Sequence, residues 1–250
     1  MEEESKLFVI SPVHNAEEWI GKCIESTKKQ TYKNFMHVII DDASTDDTFK
    51  NAIEAVGDDD RYILGHVPNK CGTLHSHIQG VENSLSKPND IIVHLDGDDW
   101  FAHENVLQTI ADRYKETKCL ATYGNYKCSD GKTPSVCKPI SETGDNFREW
   151  IVRGWCFSQV RTFYRWMWDK IKMGDFLDSN GKLFSTCADV AIFTPMLEMA
   201  GKDRIEYIED ELMIYNLQTP NNDFKIHLAD QVRCGREIAM RKPYERVQQK

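Results

Sequence analysis

Short, wholly apolar runs alternate with longer segments whose apolar residues recur every three or four positions. Leu7–Phe8–Val9–Ile10, Val38–Ile39–Ile40, Ile63–Leu64 and Ile91–Ile92–Val93 show no polar alternation, so they read as strands covered on both faces. Between the first two, Trp19, Ile20, Cys23, Ile24 and Thr27 share one face of a helix beginning near Ala16. Thr45 or Asp46 is placed to cap a second helix to about Val56, and further helices are expected from about Thr73 to Ser84 and from about Glu104 to Lys115. Strands and helices alternating in this way predict parallel pairing through right-handed crossovers, an α/β fold.

The second half is less regular. Leu120–Ala121–Thr122–Tyr123 reads as a strand, and the polar stretch from Lys127 to Asp145 as hairpin and loop, with turn chemistry at Asp130–Gly131 and Thr143–Gly144. Trp155, Phe157, Phe163, Tyr164, Trp166 and Trp168 are assigned to core in preference to sugar stacking. A helix opens around Cys187–Ala188–Asp189 and ends at Gly201. Pro195 predicts that this helix starts later than Asp189 or is kinked, because outside the first turn proline removes a backbone hydrogen bond. Arg204–Ile208 and Leu212–Tyr215 read as two closing strands, and a terminal helix is expected from about Phe224 to Met240.

With 250 residues and 40% hydrophobic content, and no linker-like stretch, the chain is expected to form a single domain over 1–250. A net charge of -9 without a dense Lys/Arg block argues against nucleic acid as a partner. No signal peptide and no transmembrane segment are recognisable, which predicts a soluble cytoplasmic protein. The eight cysteines form no Cys-x-x-Cys pair and are read as reduced. Neither zinc at Cys119, Cys128 and Cys137 nor a Cys128–Cys137 bridge is favoured.

The candidate chemistry gathers at Leu95–Asp96–Gly97–Asp98–Asp99–Trp100, where an apolar strand runs into three carboxylates that repel one another unless a cation sits between them. Strand ends are where α/β sheets place ligands. The loop after the first strand, Ser11–Pro12–Val13–His14–Asn15, lacks the glycines with which a dinucleotide fold approaches the pyrophosphate, so NAD and FAD are not expected.

Four segments in order, Phe8–Asn15, Ser26–Thr31, Ile39–Asp46 and Leu95–Trp100, resemble a family 2 glycosyltransferase of the GT-A fold, closely over residues 6 to about 120 and more loosely beyond. The resemblance implies a mixed central sheet flanked by helices, with a nucleotide-binding half (about 1–120) and an acceptor-binding half (about 121–250). It implies nucleotide contacts from Pro12, Asn15, Asp42, Gly72 and Asp96, and Mn²⁺ or Mg²⁺ held by Asp98 against the diphosphate. Asp189 matches the family's catalytic base, although Ala188 precedes it where relatives carry Glu or Gly; a plain helix cap is the other reading. Many relatives carry Ala-Arg-Asn where this chain has Ser76–His77–Ile78, so a cationic contact is either missing or supplied by His77. Asp99 is left between a structural and an acceptor-side role. Residues 219–223 and the terminal helix are expected to form a lid over the donor.

The function so implied is a metal-dependent, inverting transfer of a sugar from a nucleotide-sugar donor, UDP-linked by expectation, to the hydroxyl of a glycan or another acceptor. The alternatives are a catalytically silent sugar- or nucleotide-binding module, and a nucleotidyltransferase. The latter's glycine-rich, arginine-containing first loop is absent.

Overall fold

In the computed structural model the described residues are 5–219 and 228–248. The expected strands are present, and longer than their apolar centres: β1 (Leu7–Val13), β2 (Phe35–Asp41), β3 (Tyr62–His66) and β4 (Ile91–His94). All pair in parallel, β2 with β3, β1 with β2 and β1 with β4. The intervening helices are α1 (Ile20–Lys28), α2 (Thr48–Val56) and α3 (Thr73–Asn83).

The continuous apolar runs are explained by burial on both faces. Phe8, Ile10, Val38, Ile40 and Ile92 point into one core with Leu74, Ile78 and Val81 of α3. Their neighbours Leu7, Val9, Ile39, Ile91 and Val93 point into the other, against Ile20, Cys23 and Ile24 of α1. Period-two alternation therefore separates two apolar faces here, and the sheet needs a helical layer on each side.

The second half extends the same sheet with mixed pairing. β5 (Trp100–Phe101) is followed by α4 (Val106–Thr117), β6 (Ala121–Cys128), α5 (Phe147–Arg153), β7 (Thr162–Tyr164), α6 (Arg165–Trp168), α7 (Ala188–Ala200), β8 (Ile205–Tyr215) and α8 (Leu228–Ala239). The strand order is β3-β2-β1-β4-β7-β6-β8-β5, with β7 antiparallel to both β4 and β6. This is the expected mixed sheet flanked by helices.

Several local expectations are corrected. The two closing strands are one, β8, which follows β6 in parallel through register shifts around Asn125. α7 begins at Ala188 and carries Pro195 in its interior, so it does not start later than Asp189. The helix is apolar and buried nearly all round, so tertiary packing offsets the lost hydrogen bond. Phe157, Phe163 and Trp168 are buried in the core, with Phe163 and Trp168 stacked at 6.3 Å. The expected helix at 224–240 is described from Leu228, while residues 220–227 of the expected lid lie outside the described residues. No disulfide joins any of the eight cysteines, all of which are among the described residues. Among the described residues no helix is long and apolar enough to cross a membrane.

Candidate active site

The chain order places β1, β2 and β3 on one side and then returns to lay β4 on the other side of β1. Parallel sheets open a crevice at the carboxyl ends of the strands where the order reverses in this way. A cleft of about 600 Å³ lies there, lined by the ends of β1 (Pro12, His14), β2 (Asp42) and β4 (Asp96, Asp98), and by Gly72 and His77 of the α3 segment. Its remaining wall comes from the second half: Gln159 and Arg161 before β7, Asp189 at the start of α7, and the aromatic rings of Tyr126 and Tyr215.

Backbone geometry at the rim is unusual. Asn15 (φ 50°), Ala43 (φ 55°) and Cys187 (φ 60°) occupy the left-handed region although none is glycine. Such conformations cost of order 1–3 kcal/mol each and persist where surrounding contacts fix them. For Asn15 the contacts are two hydrogen bonds: its Oδ1 accepts from the Thr45 backbone N–H at 2.8 Å, and its N–H donates to Ser44 Oγ at 2.9 Å. Asn15 therefore locks the first loop to the second, and it does not line the cleft.

Asp42 is used in a similar way. Its two carboxylate oxygens accept the backbone N–H groups of Cys71 and Gly72, each at 2.7 Å, which pins the loop leading into α3 beside the cleft. Gly72, at φ 93°, caps that helix in a conformation that suits glycine.

The glycine of the Asp96–Gly97–Asp98 turn is dictated by proximity. Its N–H donates to Pro12 O at 3.0 Å, and a Cβ on it would meet Val13 Cβ at 2.6 Å. The close approach sets Asp96 and Asp98 beside the first loop.

Asp96 accepts from Gln159 Nε2 at 2.8 Å and lies 3.8 Å from His77 Nε2. His77 in turn stacks on His94 at 4.3 Å. Burial, reinforced by the nearby Arg161 charge, pushes the His77 pKa down to about 3. The His94 pKa is held well below the usual range by burial first, then by His77 and Arg161. Both rings are neutral at pH 7, so His77 does not supply the missing cation.

The buried cation of the cleft is Arg161, only 3% exposed, whose Nη1 donates to Asp189 Oδ2 at 3.4 Å. Asp99 is fully buried: its Oδ1 accepts the Asn216 N–H at 2.7 Å, and Oδ2 has no partner among the described residues. Burial first, then Asp98 and Asp96, raises its pKa well above the usual carboxylate range. Asp99 thus joins the end of β8 to the acidic turn. Trp100 stacks on Trp19 at 6.2 Å beneath the Lys22 ammonium, away from the cleft.

Residues 8–179 match the sequence description glycosyl transferase family 2. The chain belongs to this family. It is 30% identical over 128 residues to the glycosyltransferase GlyG of Streptococcus pneumoniae, a match spanning 50% of this chain and 41% of that protein. It is 24% identical over 242 residues to the putative glycosyltransferase EpsH of Bacillus subtilis, spanning 91% of this chain and 62% of the relative. The chain thus covers less than two thirds of these curated relatives.

Solved structures with the same fold include the mannosyltransferase PcManGT of Pyrobaculum calidifontis in complex with GDP-Man and Mn²⁺ (TM-score 0.68, 15% identity, covering 98% of this chain and 66% of that one). Another is S. aureus TarS 1-349 in complex with UDP-GlcNAc (TM-score 0.67, 17% identity, 89% and 61%). These likenesses establish the GT-A fold.

A divalent cation of the kind this fold family implies was tested against the donor set. Among the described residues no cluster of three or more His, Cys, Asp or Glu side chains holds a metal unaided. Two carboxylates at the strand-end turn, with Asp99 Oδ2 unpartnered beneath them, suit a hard cation that completes its shell with water and substrate phosphate. The residues fit a cation shared with the donor and do not fit a self-sufficient protein cage.

Proposed function

We propose that this chain transfers a sugar from a nucleoside-diphosphate donor to an acceptor hydroxyl, with inversion at the anomeric carbon and dependence on a divalent cation. The observation that carries the reading is convergence: Asp42 from the end of β2, Asp96 and Asp98 from the turn after β4, and Asp189 from the second half line one cleft at the switch point of the sheet. Pro12 and Gly72 frame its nucleotide end, with Asn15 acting through the loop it locks. Asp98, with Asp96 beside it, would hold Mn²⁺ or Mg²⁺. Such an ion neutralises charge on a departing diphosphate when it is bound.

The part played by the protein is positional. Asp189, in the first turn of α7, is placed to accept the acceptor's hydroxyl proton on a carboxylate oxygen. The freed oxygen then attacks the anomeric carbon as that carbon's bond to the diphosphate oxygen breaks and the electron pair leaves with the nucleotide. Attack from the side opposite the leaving group inverts the centre. A UDP-sugar is the donor proposed first, in line with the TarS complex; a GDP-sugar, as in the mannosyltransferase complex, is the alternative. The acceptor is a glycan or another hydroxyl compound.

The test is turnover. UDP-, GDP- and dTDP-sugars are incubated with the protein and Mn²⁺ or EDTA, with water or simple glycosides as acceptor, and the product's anomeric configuration is followed by NMR. Metal-dependent release of an inverted product is expected. Asp189→Asn should lose roughly 10²–10⁴-fold in rate while still binding donor. A retained configuration, or near wild-type turnover by Asp189→Asn, contradicts the base assignment. Donor binding without any turnover favours a binding module.

A further inference from the structure

The protein buries three arginines deeply, and they are employed differently. Arg148 forms a two-pronged pair with Glu198 and donates to Ile238 O. Arg204 donates to the carbonyls of Ala200, Met199 and Val247. Each ties structural elements together. Arg161, at 3% exposure, instead donates to Asp189 Oδ2 at 3.4 Å, and its buried Nε has no partner among the described residues.

A guanidinium cannot shed its charge, and burying one costs several kcal/mol unless partners repay it. Satisfying the sheet does not account for Arg161, because the side chain reaches away from β7 into the cleft wall. Arg161 is the buried cation that pairs with Asp189 among the described residues. Asp189 is 34% exposed and sits in the first turn of α7, where a short side chain has several rotamers open to it.

We infer that Arg161 is a positioning residue for Asp189: it holds Oδ2 and thereby presents Oδ1 to the acceptor hydroxyl. This rests on the reading of Asp189 as the base. The gain is orientational, and a misplacement of about 1 Å at such a group can cost ~10²-fold in rate.

A double-mutant cycle on the full chain tests it, using the nucleotide sugar that turns over fastest with Mn²⁺ and water as the acceptor. Wild type, Arg161→Ala, Arg161→Lys, Asp189→Asn and the Ala/Asn double variant are compared for kcat and, by calorimetry, for donor Kd. Arg161→Ala should lower kcat by roughly 10–10²-fold with donor Kd nearly unchanged. Arg161→Lys should retain more activity, and millimolar guanidinium, far below denaturing levels, should restore part of what Arg161→Ala loses. In the Asp189→Asn background the Arg161→Ala change should cost at most about threefold, because the group it acts through is gone. A full, additive penalty in that background overturns the inference while leaving Asp189 as the base. So does a loss confined to donor affinity, with kcat intact. Near wild-type turnover by Asp189→Asn alone overturns both readings.

Discussion

Asp42 shows how one side chain can serve the fold and the site together. Both of its oxygens already accept backbone N–H groups, from Cys71 and Gly72, so a nucleotide base can engage only its remaining lone pairs. Asp42→Asn places an NH₂ group opposite one of those N–H donors. It should destabilise the protein by about 1–3 kcal/mol in urea unfolding as well as weaken nucleotide binding. A carboxylate serving the ligand alone would change stability by less than about 0.5 kcal/mol. The family resemblance marked Asp42, Asp96, Asp98 and Asp189, and all four line one cleft; the strand ends that carry Asp42, Asp96 and Asp98 are also visible in the apolar runs that precede them. His77 was left open between a cationic contact and none, because its burial against His94 and Arg161 is a matter of packing that no local pattern encodes. Arg161 and Gln159 were invisible for the same reason. Each precedes an ordinary strand, and its partner lies 28 or 63 residues away.

Among the elements, those of the first half were legible because strands covered on both faces leave unbroken apolar runs and their helices carry one clear apolar face. α7 was harder to read. Burial nearly all round erases its periodicity, and Pro195 argues locally against a helix that packing nonetheless maintains. The division of β8 into two strands came from the polar run Glu209–Asp210–Glu211, which is exposed where the register against β6 shifts. α5, α7 and α8 are joined by the buried Arg148–Glu198 pair, whose Arg148 also donates to Ile238 O. Removing one partner of a buried pair leaves the other charge uncompensated. Glu198→Ala should therefore cost about 3–5 kcal/mol in chemical denaturation, whereas a loss below about 1 kcal/mol would mean that the pair behaves as a surface one.

At the scale of the whole molecule, three buried histidines make stability sensitive to mild acid. His37 and His77 have their pKa values pushed down to about 3, and His94 well below its ordinary value, in each case first by burial. Above the unfolded value of about 6.5 both folded and unfolded states are neutral at these sites. As pH falls below it the unfolded chain binds protons that the folded protein refuses, and stability is lost progressively towards about pH 3. Asp99 acts in the opposite sense, since its raised pKa lets the folded state take up a proton first. With three groups against one, the urea midpoint should fall between about pH 6.5 and pH 4. A midpoint that is level or rising across that window would show that the histidines accept protons in the folded state.

The sheet's strand order, its switch point and the acidic turn beside it all lead to one central claim: donor binding in this cleft depends on a divalent cation held at Asp98. Titration calorimetry of UDP against the wild-type protein and Asp98→Asn, each with Mn²⁺ and with EDTA, tests it most directly. Wild-type affinity should fall at least about tenfold in EDTA, some 1.4 kcal/mol. Asp98→Asn should show a similarly weak affinity in both buffers while unfolding like the wild type. Equal wild-type affinity with Mn²⁺ and with EDTA would contradict the account.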